Sequence, residues 1–162
     1  MDRPYETAKI ILQNKSDLEI IKIEKLVEIS HGLWEGKLEN EIQKQWPELL
    51  KNWHEKPEEV IMPSGECIKD VSERSVKAWD EICSAQKNND LTLLVAHDAV
   101  NKTLICNILG IDFSNIWMIK QGNGGITIID IFDDPKKDNV ISALNITTHL
   151  GGILDSTASG AL

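Results

Sequence analysis

The sequence predicts a layered α/β fold with a parallel sheet, and two observations carry that prediction. Residues 91–96, Leu91-Thr92-Leu93-Leu94-Val95-Ala96, form an unbroken apolar run between Asp90 and His97. Strands buried on both faces, as in parallel sheets, have this pattern. The run lies between two stretches of helical spacing, so strands and helices alternate along the chain. In such folds ligands sit beyond the carboxyl ends of the parallel strands, which directs the search for chemistry to the residues after 96.

Pro4 suits the first turn of a helix, where its missing N–H is not needed, and Ala8, Ile11 and Leu12 continue an apolar stripe from it. Ile20-Ile21-Lys22-Ile23 is short and β-branched and reads as a strand leading into a loop over residues 26–32. Between residues 38 and 55, Leu38, Ile42, Trp46, Leu49, Leu50 and Trp53 follow helical spacing, and Pro47 should divide the helix in two. Pro57, Pro63 and Gly65 mark a turn-rich connection. A long helix follows, with Ser64 as a candidate cap and Ile68, Val71, Ser75, Trp79 and Ile82 on one face. The helix after His97 should stop at Gly110, which readily takes the left-handed conformation. Residues 126–132 and 140–148 read as a hairpin, entered through Gly122-Asn123-Gly124-Gly125, and residues 156–162 as a mobile tail.

The 162 residues fit one domain. Twenty-six acidic side chains against 17 basic ones, a formal charge of −9, argue against a nucleic-acid partner. No apolar run approaches the roughly 18 residues of a spanning helix, and the start has no secretory pattern, so a cytoplasmic protein without membrane contact is expected. Cys67, Cys83 and Cys106, an odd number without a C-x-x-C pair, fit reduced thiols.

Three residues carry candidate chemistry. His97 stands between strand and helix, where an anion can meet both an imidazole and the helix's free N–H groups; a histidine there can equally do no more than cap a strand end. Arg3, at the entrance of the Pro4 helix, can offer a planar guanidinium to two phosphate oxygens, or be a surface arginine. Glu28, among Leu26, Val27 and Ile29, would gain proton-donor character from partial desolvation, or be a solvated loop residue. Cys67 and Arg74 are separated by six residues, where a cysteine-phosphatase loop has five, and both fall on the predicted long helix. His31, His54 and His149 are too scattered for a metal site with His97.

The ordered segments Asp2-Arg3-Pro4-Tyr5-Glu6-Thr7-Ala8, residues 26–36 (Leu-Val-Glu-Ile-Ser-His-Gly-Leu-Trp-Glu-Gly), Pro63-Ser64-Gly65-Glu66 and Val95-Ala96-His97-Asp98 resemble the histidine phosphatase, or phosphoglycerate mutase-like, superfamily. The ending, residues 148–162, resembles its cyanobacterial branch. The resemblance implies a three-layer sandwich with a mostly parallel central sheet flanked by helices. It also implies a phosphohistidine mechanism with Glu28 as proton donor, Arg3 as phosphate ligand and His97 as the second histidine, contacting the phosphoryl group. No metal or cofactor is implied, and a small phosphorylated metabolite is the expected partner.

The family's Arg-His-Gly motif, which bears the nucleophile, occurs nowhere in this sequence. His31 precedes Gly32 but follows Ser30. The expectation is therefore a histidine phosphatase domain over residues 1–155, incomplete at the N-terminus and lacking its first strand, with residues 36–65 as a variable cap. A longer parent with an upstream domain is expected, and the chain as it stands should be nearly inactive. A non-catalytic phosphate-binding or regulatory module and a phosphoglycerate mutase-type phosphotransferase are the alternative functions. Without its first strand the domain should also aggregate when expressed alone; a cooperative melt with a clean monomer peak would contradict this.

Overall fold

The computed structural model describes residues 2–151, apart from 16, 88, 133 and 135. Five α-helices are formed among these residues: α1 (Arg3–Leu12), α2 (Glu39–Gln45), α3 (Pro47–Glu55), α4 (Ile68–Ala85) and α5 (Asp98–Leu109). Two strands, β1 (Ile126–Asp130) and β2 (Val140–Ile146), follow as an antiparallel pair. The predicted tail, and most of the ending that resembles the cyanobacterial branch, lie outside the described residues.

Local chemistry explains most boundaries. Pro47 begins α3 where a missing N–H costs nothing, which splits the apolar repeat at the predicted place. Gly110 ends α5 at φ 63°. The glycine-rich turn before β1 closes through Gly125 N–H to the Gly122 carbonyl (2.9 Å), and Asn145 Oδ1 accepts from Gly122 N–H at 2.7 Å. The start of α4 differs from expectation. Ser64 sits at φ 56° in the preceding turn, and Cys67 occupies the N-cap, its N–H donating to Asp70 Oδ2 at 2.9 Å.

The core lies where α4 packs on α5, with Ile68, Val71 and Ala78 facing Val100, Leu104 and Ile105. Trp34, Ile42, Leu50 and Trp53 extend it beneath the paired short helices. Within it, Asn107 Nδ2 donates to Ser72 Oγ at 2.8 Å, so the polar contact between the two helices is satisfied.

The described residues do not form the parallel sheet expected of the three-layer sandwich. The sheet formed by the described residues is the β1–β2 hairpin, and residues 20–23 and 91–96 run without strand pairing. A strand exists only through a neighbour's N–H and C=O groups, and no backbone hydrogen bond joins either segment to another among the described residues. Part of their apolar surface stays uncovered accordingly: Leu91 is 98% exposed and Ile21 79%, whereas Ile23, Leu94 and Ala96 pack against the core. The stripe of α1 is only half covered: none of its residues is fully buried, Ala8 and Leu12 being half-buried and Ile11 exposed.

Candidate active site

Three segments that are remote in sequence meet at the amino end of α5. His97 is the N-cap of that helix, in extended backbone (φ −116°, ψ 170°), and no side chain caps the helix's first amides. Burial of its neighbours Ala99 and Val100 draws the helix start inward, and the His97 side chain is only 8% exposed. Glu28 approaches from the loop after the 3-10 turn Glu24–Leu26, with Oε2 at 3.8 Å from His97 Nδ1. Its other oxygen accepts the N–H of Ile29 at 2.9 Å. Arg3, at the start of α1, adds a positive field at the same imidazole.

These contacts set the histidine's protonation. Burial pushes the His97 pKa down, the Glu28 carboxylate opposes it, and the positive charge of Arg3 adds to the lowering. The net effect is a neutral imidazole around pH 7. Such a ring offers one N–H donor in a site that also holds a carboxylate, a guanidinium and free helix amides. The arrangement suits binding of a tetrahedral oxyanion together with delivery of a proton.

The loop carrying Glu28 is stitched to the turn before α4. Leu33 N–H donates to the Pro63 carbonyl at 2.8 Å, and Glu66 N–H to the Ser30 carbonyl at 2.9 Å. Ser30 N–H donates to Glu66 Oε2 at 2.9 Å. Glu66 is ion-paired with Arg74, Nε to Oε1 at 2.8 Å. Burial disfavours its charge, but the hydrogen bonds from Arg74 and Ser30 prevail and hold the carboxyl below the usual range.

The structure thus sets Glu28 against His97 and leaves Arg3 close enough for its charge to act on the imidazole. His54 lies on the surface, 4.0 Å from Glu39, and His31 packs edge-on against Trp53. Cys67 is held as a thiol: burial, followed by its hydrogen bond with Asp70, pushes its pKa up, the reverse of what a nucleophile needs. Among the described residues no group of three or more His, Cys, Asp or Glu could hold a metal ion. No helix among them is long and apolar enough to cross a membrane. Sequence reasoning passed over Arg74 and Glu66. Glu66 did stand in the motif Pro63-Ser64-Gly65-Glu66, but nothing local disclosed their shared loop.

Two acid-sensitive groups give a stability prediction. His97 resists protonation when folded, so below its usual value of 6.5 the unfolded chain binds the extra proton and stability falls with pH. Glu66, depressed from 4.5, contributes stability above that value and loses it as pH drops through its folded pKa. The urea midpoint is therefore expected to decline from pH 7 to pH 4. Glu66→Gln should flatten the lower limb and leave the upper one.

An imidazole and a carboxylate at a helix amino terminus, within the field of an arginine, can accommodate a phosphate-like anion. The chain belongs to the histidine phosphatase superfamily (branch 1), whose sequence profile matches residues 1–146. It is 34% identical over 151 residues to phosphoserine phosphatase 1 of Hydrogenobacter thermophilus, covering 93% of this chain and 69% of that protein. With the phosphoglycerate mutase of Schizosaccharomyces pombe it shares 29% identity over 115 residues, 68% of this chain and 54% of that one. Among solved structures, Bacillus stearothermophilus YhfR superposes with a TM-score of 0.84 at 26% identity, covering 91% of this chain and 71% of the other. The α-ribazole phosphatase of Shigella flexneri, at 23% identity and a TM-score of 0.76, shares the fold; 90% of this chain and 70% of that one are covered.

Proposed function

We propose that these residues are the greater part of a cytoplasmic phosphomonoesterase that acts on a small phosphorylated metabolite. The contact between Glu28 and the buried, neutral His97 at the amino end of α5 carries the reading. Arg3 and His97 hold the non-bridging phosphoryl oxygens. Glu28 takes up a proton as the anionic substrate binds beside it, and gives that proton to the leaving oxygen as the P–O bond breaks and the phosphoryl group passes to a histidine nitrogen. Water then attacks the phosphohistidine and returns a proton to Glu28. Residues 36–65 serve as the cap over the substrate, within a domain spanning 1–155.

In the same reading, segments 20–23 and 91–96 become strands of a mostly parallel, three-layer sandwich when a strand bearing Arg-His-Gly pairs with them. The nucleophile is assigned to that strand, because none of His31, His54 and His149 stands in an Arg-His-Gly context. A second reading, which needs only the contact of Glu28 with His97, is that the 162 residues bind phosphate without turning it over.

Calorimetric melting with inorganic phosphate tests the site. Phosphate at about 100 times its Kd should stabilise the chain by about 2.7 kcal/mol, and His97→Ala should abolish the effect. An equal shift in the variant, or none in either protein, would sink the assignment. p-Nitrophenyl phosphate and phosphoserine should not be hydrolysed by the chain alone. Fused behind a strand carrying Arg-His-Gly, the same residues should form an acid-labile phosphohistidine. A fused protein that is folded and still binds phosphate, but neither labels nor turns over, leaves the binding-module reading.

A further inference from the structure

The Arg74 guanidinium spends its donors on one small region. Nε and Nη2 form a fork on Glu66, at 2.8 Å to Oε1 and 3.0 Å to Oε2. The rest go to backbone carbonyls: Nη1 to Lys25 at 2.8 Å and Val27 at 2.6 Å, and Nη2 to Glu28 itself at 3.2 Å. With Glu66 Oε2 accepting the N–H of Ser30, one ion pair holds the chain on both sides of Glu28. Its side chains are 19% and 26% exposed, so the contacts are partly shielded from water. Lysine has no planar fork and too few donors for this set.

We propose that the Arg74–Glu66 pair is the positioning device for Glu28, fixing the loop backbone so that the carboxylate stands against His97. Neither residue touches the imidazole. The pair acts through the loop, and the inference rests on the reading of Glu28 and His97 as a phosphoester site. A purely structural ion pair would change the melting temperature alone, whereas a positioning pair also governs the field that Glu28 exerts on His97.

NMR titration of the His97 ring in the full chain separates the two. The charged groups facing it among the described residues are Glu28 from the loop, Arg3 from α1, and its neighbour Asp98, which is ion-paired to Lys102 at 2.9 Å. Removing the anion in Glu28→Gln should lower the His97 pKa by about 1 unit. Arg74→Lys, which conserves charge, should lower it by at least half as much, with Glu66→Gln moving it in the same direction. In the Glu28→Gln background Arg74→Lys should add nothing, since the carboxylate it positions is gone.

Folded Arg74→Lys and Glu66→Gln proteins with a wild-type titration would overturn the proposal. So would an Arg74→Lys shift that persists beside Glu28→Gln. If Arg74→Lys does not fold, the near-isosteric Glu66→Gln decides; loss of fold in both assigns the pair a structural role and ends the proposal. A Glu28→Gln protein with unchanged titration removes the contact on which both readings stand. Failure of phosphate binding, with all titrations as expected, defeats the function and leaves the positioning intact.

Discussion

Trp53→Ala is expected to destabilise the chain by about 3–5 kcal/mol. The indole is 1% exposed and meets three other rings edge-on: Trp117 at 5.0 Å, His31 at 6.1 Å and Trp34 at 6.5 Å between centroids. It ties α3 to the 3-10 turn Gly32–Trp34 and to the segment Phe113–Met118. Trp117 Nε1 also donates to the Trp53 carbonyl at 2.8 Å, a bond alanine keeps, so the loss is mostly one of packing. Neighbouring rings cannot collapse far into the space, because His31 and Trp34 are held on one tight turn and Trp117 on the separate segment Phe113–Met118. At about 2–4 °C per kcal/mol for a chain of this size, Tm should fall by about 6–20 °C. Urea unfolding followed by circular dichroism checks it, and a change under about 1 kcal/mol would show that the ring cluster repacks freely.

Gly32→Ala is expected to cost about 2–5 kcal/mol, from a left-handed backbone and a steric clash acting together. Gly32 has φ 55°, and an added Cβ would stand 2.2 Å from the Pro63 carbonyl oxygen and 2.5 Å from Gly65 N. Both are backbone atoms and cannot rotate aside. The turn before α4 must therefore move off the Glu28 loop, breaking the contacts of Leu33 with Pro63 and of Glu66 with Ser30. Gly36 is the control: at φ 75° an added methyl would meet no atom within 4 Å, so its alanine variant should cost only about 1–2 kcal/mol. Equal losses at the two glycines, measured by urea unfolding, would refute the close approach of the two loops.

Features governed by neighbouring residues were legible in the sequence. Pro47 divides the helical repeat of residues 38–55 because a missing N–H acts within its own turn, and Gly110 ends α5 because its φ is a local freedom. The hairpin followed from two β-branched runs and the polar turn between them. The site residues were named through four ordered motifs. Their meeting was not derivable from spacing, since Arg3, Glu28 and His97 come from three separate segments.

What the chain could not disclose by itself lies in relations between distant residues. Residues 91–96 have the composition of a buried strand, yet Leu91 is 98% exposed, because composition supplies a preference and only a paired neighbour supplies the ladder. In the sequence Arg74 showed only a spacing from Cys67 that is wrong for a cysteine-phosphatase loop; its carbonyl partners stand 46 to 49 residues away, beyond any local pattern. The sequence by itself determined the helices, their breaks, the hairpin and the three residues of the candidate site. Only the tertiary structure decided which segments pair and which carbonyls Arg74 holds, because loop contacts arise from packing over long stretches of chain, and no residue carries its future neighbours in its own identity.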